Sequence, residues 1–307
     1  MSVRFGLSLL AGVALAGCSS ATSGTGQPGA PSPEPGAPST GLPTPTPNGA
    51  GASITYLPVR DVAYTLVRHD SLTLQLPGGA NQLQLIDRTA YLRLNIAGDT
   101  SGYVANIVLD SLQASVGGVP AVPDSVLPVR GTRWTATLTP DGELSALKAD
   151  RSSTLGNQIG TSLRSLFPTL PSGGVRPGME WTDTTEVPIR ADAFDAVERS
   201  LTRYRSTNSD DSRAEKALKL ESTGTFQRRG KGTQYDQQLE MTASGSRSAV
   251  HYLNSDGTLV SARGSDSGDM TITVPAVGQT VPVKQTGTYS ITLSHQPARS
   301  GGNTRSP

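Results

Sequence analysis

The chain has 307 residues, a formal net charge of +1 and one cysteine. This charge balance excludes a general electrostatic attraction to nucleic acid or anionic lipid, and a single cysteine cannot form an internal disulfide. With 34 glycines, 22 prolines and only 35% hydrophobic residues, part of the chain is not expected to pack into a core.

Residues 1–17 have the three-part pattern of a secretory signal peptide. Arg4 supplies positive charge, and the apolar run that follows is too short to span a bilayer, which needs ~20 residues. The run ends in Leu15, Ala16, Gly17 and Cys18. This tetrapeptide resembles the bacterial lipobox, and the resemblance implies that Cys18 is the site of cleavage, of diacylglyceryl transfer and of palmitate addition.

The lipobox predicts where the protein resides. Two or more acyl chains give stable anchoring, so we expect a lipoprotein of the cell envelope, held outside the cytoplasmic membrane. In enteric-type lipoproteins an Asp after the cysteine signals retention in the inner membrane. Ser19 and Ser20 stand there instead, which favours the outer membrane, on its periplasmic face or at the surface.

A Pro/Gly/Ser/Thr-rich tether follows Cys18 and extends to residue 53. It has almost no aliphatic side chains, so it cannot bury enough surface to offset the entropy of ordering, and we expect it to be disordered. Its alternating prolines favour an extended conformation, in which 35 residues reach ~100 Å. Residues 297–307 are predicted to be a disordered tail.

Residues 54–296 form the predicted β-rich domain, because apolar and polar residues alternate with period two there. Leu72, Leu74 and Leu76 share one strand face, for example. The other predicted strands are 91–96, 102–114, 131–139, 143–149, 179–190, 196–207, 214–229, 232–245, 247–254, 258–264, 268–275 and 280–293. The pattern is that of a mostly antiparallel meander.

One helix is predicted over residues 151–167, capped by Asp150 or Ser152 and ended by Pro168. Its apolar positions recur at spacings of four, four and three: Leu155, Ile159, Leu163 and Leu166. Residues 193–205 fit both a helix and an edge strand, and we interpret them as a strand.

Two predicted hairpins resemble each other in sequence. Residues 134–147 and 249–262 each read as a strand, an Asp-Gly turn and a returning strand. This similarity suggests two similar halves, 54–150 and 179–296, joined through the helical segment.

The junction between these halves carries a recognisable motif. A helix that ends in Leu-Pro is followed by Val175-x-Pro177-Gly178-x-x-Trp181. Together they resemble a family of uncharacterised bacterial exported lipoproteins over residues 60–295, and more distantly the periplasmic lipoprotein-carrier folds. The carrier resemblance implies a large curved antiparallel sheet, an incomplete barrel with an apolar cavity, but it assigns no functional residue. We interpret Trp134 and Trp181 as core anchors.

Two sequence matches to known functional motifs are rejected, one because of its predicted secondary structure and the other because of its spacing and residue types. Ser145-x-x-Lys148 matches the penicillin-recognising enzymes, but it lies on a predicted strand, where positions three apart face opposite sides. A phosphate-loop interpretation of residues 224–232 fails because its spacing is one residue too long and Gly232 stands where Ser or Thr must hold magnesium. We interpret Arg228, Arg229 and Lys231 as part of a solvated hairpin turn.

The histidines and carboxylates form no recognisable site. His69, His251 and His295 have no metal-ligand spacing, no nucleophile elbow occurs, and Tyr252 stands where a calcium loop needs an oxygen ligand. We therefore predict no metal and no cofactor. The scattered carboxylates are interpreted as solvated surface groups: Asp192, Asp195, Glu198, Asp210 and Asp211.

We therefore expect a non-enzymatic, membrane-anchored envelope lipoprotein that binds an apolar, lipid-like ligand or an envelope protein through its curved sheet. We expect no nucleic acid and no metal as partner. One alternative is a structural or assembly lipoprotein with a solid core, and another is a hydrolase with an unrecognised site. An open cavity or a filled interior distinguishes the first two.

Overall fold

The computed structural model describes residues 53–295, apart from residues 77, 100–101, 123–125, 152, 192–193, 210–217 and 235–236. The signal peptide 1–17, the lipobox with Cys18, the tether up to residue 52 and the tail 297–307 lie outside the described residues. The interpretations of these segments stay predictions.

The described part is mainly β, with 73% in strands, and its twelve strands form one large antiparallel sheet that does not close. This confirms the predicted curved sheet with one helix. The strands are β1 (Val59–Gln75), β2 (Asn81–Asp99), β3 (Gly102–Val116), β4 (Val119–Pro120), β5 (Arg133–Leu138), β6 (Leu144–Ala149), β7 (Glu180–Ala191), β8 (Phe194–Asn208), β9 (Leu218–Gln234), β10 (Gln237–Leu253), β11 (Leu259–Val274) and β12 (Gln279–His295).

The sheet order is β6-β5-β3-β2-β1-β12-β11-β10-β9-β8-β7, with β4 paired to β3. The chain starts in the middle with β1, runs outward to β6, crosses to β7 at the opposite edge and returns to β12. Residues 54–150 and 179–296 therefore each supply a contiguous part of the sheet. The two parts meet where β1 pairs with β12.

The crossover contains helix α1 (Thr154–Leu163) and a 3₁₀ turn, and α1 contacts both edge strands, β6 and β7. Its N-cap is Ser153, whose Oγ accepts the N–H of Gly156 at 3.0 Å. The sequence-based prediction of Asp150 as the cap is wrong. Its Oδ1 instead accepts the N–H of Arg133 at 2.9 Å. Ser152, the other predicted cap, lies outside the described residues.

Three of the predicted strand breaks are wrong. Strands β9, β10 and β11 continue through 229–232, 245–247 and 264–268, where the sequence suggested turns. Arg228, Arg229 and Lys231 lie within β9 and not in a hairpin turn. Gly245 and Gly268 lie in these stretches where a Cβ would meet the ring of Phe226, so they leave room for a buried side chain within continuous strands.

The ambiguous segment 193–205 is a strand, β8, as predicted. The two Asp-Gly hairpins share their hydrogen bonds as well as their sequence. In the β5–β6 turn, the N–H of Thr139 donates to Glu143 O and that of Gly142 donates to Thr139 O, both at 3.0 Å. The β10–β11 turn repeats both bonds within residues 254–258, at 2.9 Å each.

Residues 53–57, here called the strap, lead from the tether into β1 and fasten the crossover. Ile54 pairs with Val175 through two backbone bonds of 2.8 and 2.9 Å. The backbone N–H of Tyr56 donates to Pro140 O and its hydroxyl donates to Pro168 O, each at 2.9 Å. The strap thus joins the β5–β6 hairpin to the crossover at the point where the predicted tether ends.

Apolar side chains form two large clusters along the sheet, besides a small group around Tyr252. The larger one lies at the strap end and includes α1 and the buried Trp134, against which Gly160 packs so closely that a Cβ would lie 2.9 Å from the indole Nε1. The smaller one lies at the other end of the strands. Trp181 is half-buried, donates to Thr169 O at 3.0 Å and stacks on Tyr204. Within the described ranges, no helix has the length and apolarity to cross a membrane.

Candidate functional site

Between the two apolar clusters, the inner face of the sheet carries buried charged side chains. Alternate residues of a strand face the same side, so these groups point inward in line with the leucines above and below them. We call them, together with the half-buried Arg247, the ionic layer; its buried members are Arg68, Asp70, Arg88, Glu198, Arg228 and Asp266.

The first group of the ionic layer ties β1 and β2 to β11, across β12. Arg68 Nη2 lies 2.7 Å from Asp70 Oδ1 and 3.0 Å from Asp266 Oδ1. Arg68 Nε donates to Asp70 Oδ2 at 3.0 Å, and Arg88 donates to the same oxygen. Every charge in this group is buried, so each must find its counter-charge inside the protein.

The second group joins β8, β9 and β10 through Glu198, which is only 1% exposed. Arg228 Nη2 donates to Glu198 Oε2 at 2.6 Å, and Arg247 Nη2 donates to Glu198 Oε1 at 2.7 Å. The ring of Phe226 lies beneath both guanidinium groups, with centroid distances of 5.8 and 4.8 Å. The interpretation of Glu198 as a solvated surface group is therefore wrong.

Glycines in the middle of the strands make room for this layer. A Cβ at Gly287 would lie 2.7 Å from Arg68 Nη2, 2.9 Å from Asp70 Oδ1 and 3.0 Å from Asp266 Oδ1. A Cβ at Gly245 would likewise lie 2.7 Å from the ring of Phe226. Glycine inside an otherwise regular strand is the sequence signal that could have indicated this close approach.

The ionic layer determines what the interior can hold. The carrier-fold resemblance implies an apolar cavity, but at this level the described interior holds paired charges and glycine backbone. At the strap end, a gap of only ≈ 10 Å³ lies beside Tyr56 and Tyr64, about the space of one water molecule. Paired charges therefore occupy the first of these levels, and a gap of the size of one water molecule lies beside the two tyrosines at the other.

The three histidines do not come together. His69 lies on the outer face of β1, where its Nδ1 is 2.7 Å from Asp87 Oδ1, and this hydrogen bond lowers the pKa of Asp87. Ser115 donates to the other oxygen of Asp87 at 3.2 Å, so the carboxylate separates hydroxyl from imidazole, unlike a nucleophile–base pair. His251 is buried within β10, and His295 ends β12.

Ser145 and Lys148 lie on the same face of β6, contrary to the sequence-based expectation. They pair with Thr137 and Thr135, which both face outward, because a bulge at Ala146 (φ 51°) inserts one residue between them. No hydrogen bond joins the two within the described contacts, and the serine-enzyme motif gains no helical context.

The remaining sequence candidates form no site either. Asp195 is exposed, and Asp192, Asp210 and Asp211 lie outside the described residues. Asp256 accepts the N–H of Thr258 at 2.9 Å, which is a local turn contact. In the part of the chain that the structure describes, no group of three or more His, Cys, Asp or Glu side chains is placed to hold a metal ion.

Two hollows lie on the outer face of the sheet. One of ≈ 620 Å³ spans β2, β3, β5 and β6 and includes Arg93, Arg133 and Lys148. The other, of ≈ 580 Å³, spans β7 to β10, and its rim carries the ion pair of Lys231 with Glu240 at 3.0 Å. Sequence reasoning found neither, because each depends on which outward-facing side chains the strand register brings side by side.

No protein-family model matches the chain, and no curated protein matches it. Among solved structures it is similar to DynF from the dynemicin biosynthesis pathway of Micromonospora chersina, at 11% identity and a TM-score of 0.22, over 84% of this chain and 95% of that one. A candidate AttH protein from Nitrosomonas europaea matches at 10% identity and a TM-score of 0.15, over 76% and 92% of the two chains. Neither likeness is close enough to carry an argument about fold or function.

The ionic layer predicts an asymmetry between two glutamates that both pair with arginine. Glu198→Gln leaves two buried guanidinium groups short of counter-charge and should lower the free energy of unfolding by ~3–5 kcal/mol. Glu186→Gln breaks the exposed pair with Arg199 (2.7 Å) and should cost less than ~1 kcal/mol. Urea denaturation of both variants measures the difference; equal losses would contradict the buried pairing.

Because His251 is buried, we expect the free energy of unfolding to decrease in acid. Burial lowers its pKa to about 4, whereas the unfolded chain has a histidine pKa of ~6.5. Between these values the unfolded state binds a proton that the folded state does not, so stability falls as pH drops from ~6.5 to ~4 and then levels off. Urea denaturation across this range should show the fall for wild type and His295→Leu, but a smaller one for His251→Leu. An equal dependence of stability on pH in all three proteins would contradict the lowered pKa of His251.

Proposed function

We propose that this chain is a membrane-anchored envelope lipoprotein whose solid β domain binds its partner or ligand with the outer face of the sheet. It is a non-enzymatic binding or assembly module and not a carrier that encloses an acyl chain. The observation that carries the proposal is the ionic layer, which occupies the middle of the inner face where a carrier would need continuous apolar surface.

The energetics of burial favour this function over lipid carriage. An acyl chain gains ~0.8 kcal/mol for each methylene that leaves water, but only where the wall it touches is apolar. At Arg68, Asp70, Arg88 and Asp266 the wall consists of charges that already satisfy one another. A chain inserted there would have to displace those pairs, and each broken pair costs several kcal/mol.

The strap supports an orientation in which the outer face stays accessible. The predicted tether ends at the strap, which lies beside the β5–β6 hairpin and the crossover. A lipid on Cys18 would therefore pull on one end of the strands. A tether that reaches ~100 Å would leave both outer hollows clear of the headgroups.

The hydrolase alternative gains nothing from the described histidines. The carboxylate of Asp87 lies between His69 and Ser115, and burial holds His251 neutral at physiological pH. An envelope protein with a rigid domain on a long lipid-anchored tether suits binding at a distance from the membrane.

The anchor is tested at Cys18. Cys18→Ser removes the thiol that accepts the diacylglyceryl group, so the variant should incorporate no labelled palmitate and should accumulate as uncleaved precursor. Ser19→Cys, combined with Cys18→Ser, moves the thiol by one residue and serves as a control for the position of the lipobox. Palmitate on the Cys18→Ser variant would refute the anchoring proposal.

The solid interior is tested by native mass spectrometry of the mature protein after its own acyl chains have been removed. We expect the mass of the polypeptide alone, because the ionic layer leaves no apolar channel for a co-purified lipid. A stoichiometric lipid adduct that survives gentle ionisation would show that the domain is a carrier and would overturn the proposed function.

A further inference from the structure

We propose that the hollow on the outer face of β2, β3, β5 and β6 binds the oxyanion groups of a ligand, that is, phosphate or carboxylate carried on an acidic glycan or free in solution. The inference rests on the proposed function, because it names the ligand class for binding at the outer face. We call this site the donor hollow; its defining residues are Arg93, Asn95, Asn106, Arg133, Thr135 and Lys148.

Strand pairing places these side chains in two crosswise rows. Arg93 pairs with Val108 and Val108 with Arg133, which makes the first row. The second row runs from Asn95 through Asn106 and Thr135 to Lys148. Because neighbouring strands lie ~4.8 Å apart, the backbones of Arg93 and Arg133 are ~10 Å apart on either side of Val108, and this row lies alongside the amide row.

The amide oxygens of the second row are already occupied within the protein. Asn95 Oδ1 accepts the backbone N–H of Asp61 at 2.9 Å, and Asn106 Oδ1 accepts the hydroxyl of Thr135 at 3.3 Å. Each amide therefore has its NH₂ group left to offer to a ligand. The row therefore presents hydrogen-bond donors, which suit a ligand rich in hydrogen-bond acceptors.

One cation of the donor hollow is held by a carboxylate, and the other two have no described counter-charge. Asp110 holds Arg93 by its Nε and Nη2, each at 2.7 Å, which fixes the guanidinium and leaves its Nη1 edge for another acceptor. Arg133 and Lys148 are exposed and form no ion pair with any described residue. Some other exposed cations of the outer face do have carboxylate partners, as Arg199 has in Glu186.

The balance of charge and shape selects an anionic ligand. Asp150 is the one carboxylate among the described lining residues, and its Oδ1 is engaged by the N–H of Arg133 at 2.9 Å. No aromatic side chain is present among those lining residues, so a neutral sugar has no ring to stack on. Oxyanions satisfy both the cations and the amide donors, through charge-assisted hydrogen bonds.

The test compares two double variants of the mature protein that remove equal charge. Arg133→Ala/Lys148→Ala removes two of the three cations of the donor hollow. Arg263→Ala/Lys284→Ala removes two exposed outer-face cations on β11 and β12. Fluorescently labelled hexagalacturonate should bind the wild type and the control saturably. It should bind the donor-hollow variant at least about tenfold more weakly, because charged hydrogen bonds are lost. Labelled maltohexaose, which is neutral, should not bind.

Two further arms identify the source of the oxyanion and the role of the amides. Competition by inorganic phosphate at concentrations near those of the glycan would show that a free anion suffices; its failure to compete would show that the glycan scaffold is recognised. Asn106→Asp keeps the side-chain shape but places a carboxylate in the donor row, so it should weaken binding of hexagalacturonate with both cations intact.

Equal binding by both double variants would overturn the donor hollow, as would the absence of binding to hexagalacturonate and phosphate alike. Such a result leaves the proposed function standing, since the lipid-free mass of the domain tests that separately. A bound lipid together with normal binding of hexagalacturonate at the donor hollow would contradict the proposed function but not the donor hollow.

Discussion

Charges that lie inside a sheet must be neutralised inside it, and this constraint governs the middle of the molecule. The ionic layer links β1, β2 and β11 around Asp70 and links β8, β9 and β10 around Glu198. Its long side chains need space, which the strands provide with glycine, as at Gly287. The pairs add little net stability over an apolar filling, but they penalise every register in which one partner is missing.

This constraint connects the fold to the proposed function. A twelve-stranded sheet that curls without closing would offer a binding trough if its inner face were apolar throughout. Here the apolar clusters at the two ends are separated by charges that already have partners, and the strap and α1 pack over one end. The proposed binding therefore falls on the outer face, where the donor hollow presents amide N–H groups and two cations, Arg133 and Lys148, that form no ion pair with any described residue.

The sequence predicted the class of fold, because period-two alternation is a local signal that each strand carries by itself. It also placed both Asp-Gly hairpins and the strand at 193–205 correctly. It failed at Glu198, Arg228 and the interior glycines, because an alternation of apolar residues does not reveal that a charged residue occupies an inward position. The donor hollow was out of reach for another reason: the pairing register, and not the order of the strands, decides which outward side chains lie side by side.

The central claim is that the ionic layer consists of true partners, and a double-mutant cycle on Arg68 and Asp266 tests it most directly. These residues lie on strands separated by β12 and meet at 3.0 Å beside Gly287. Urea denaturation of Arg68→Met, Asp266→Asn and the double variant should give a coupling free energy of about 1.5 kcal/mol or more. Losses that add to within ~0.5 kcal/mol would show that the two charges do not interact, and the account of a filled, charge-paired interior would fail.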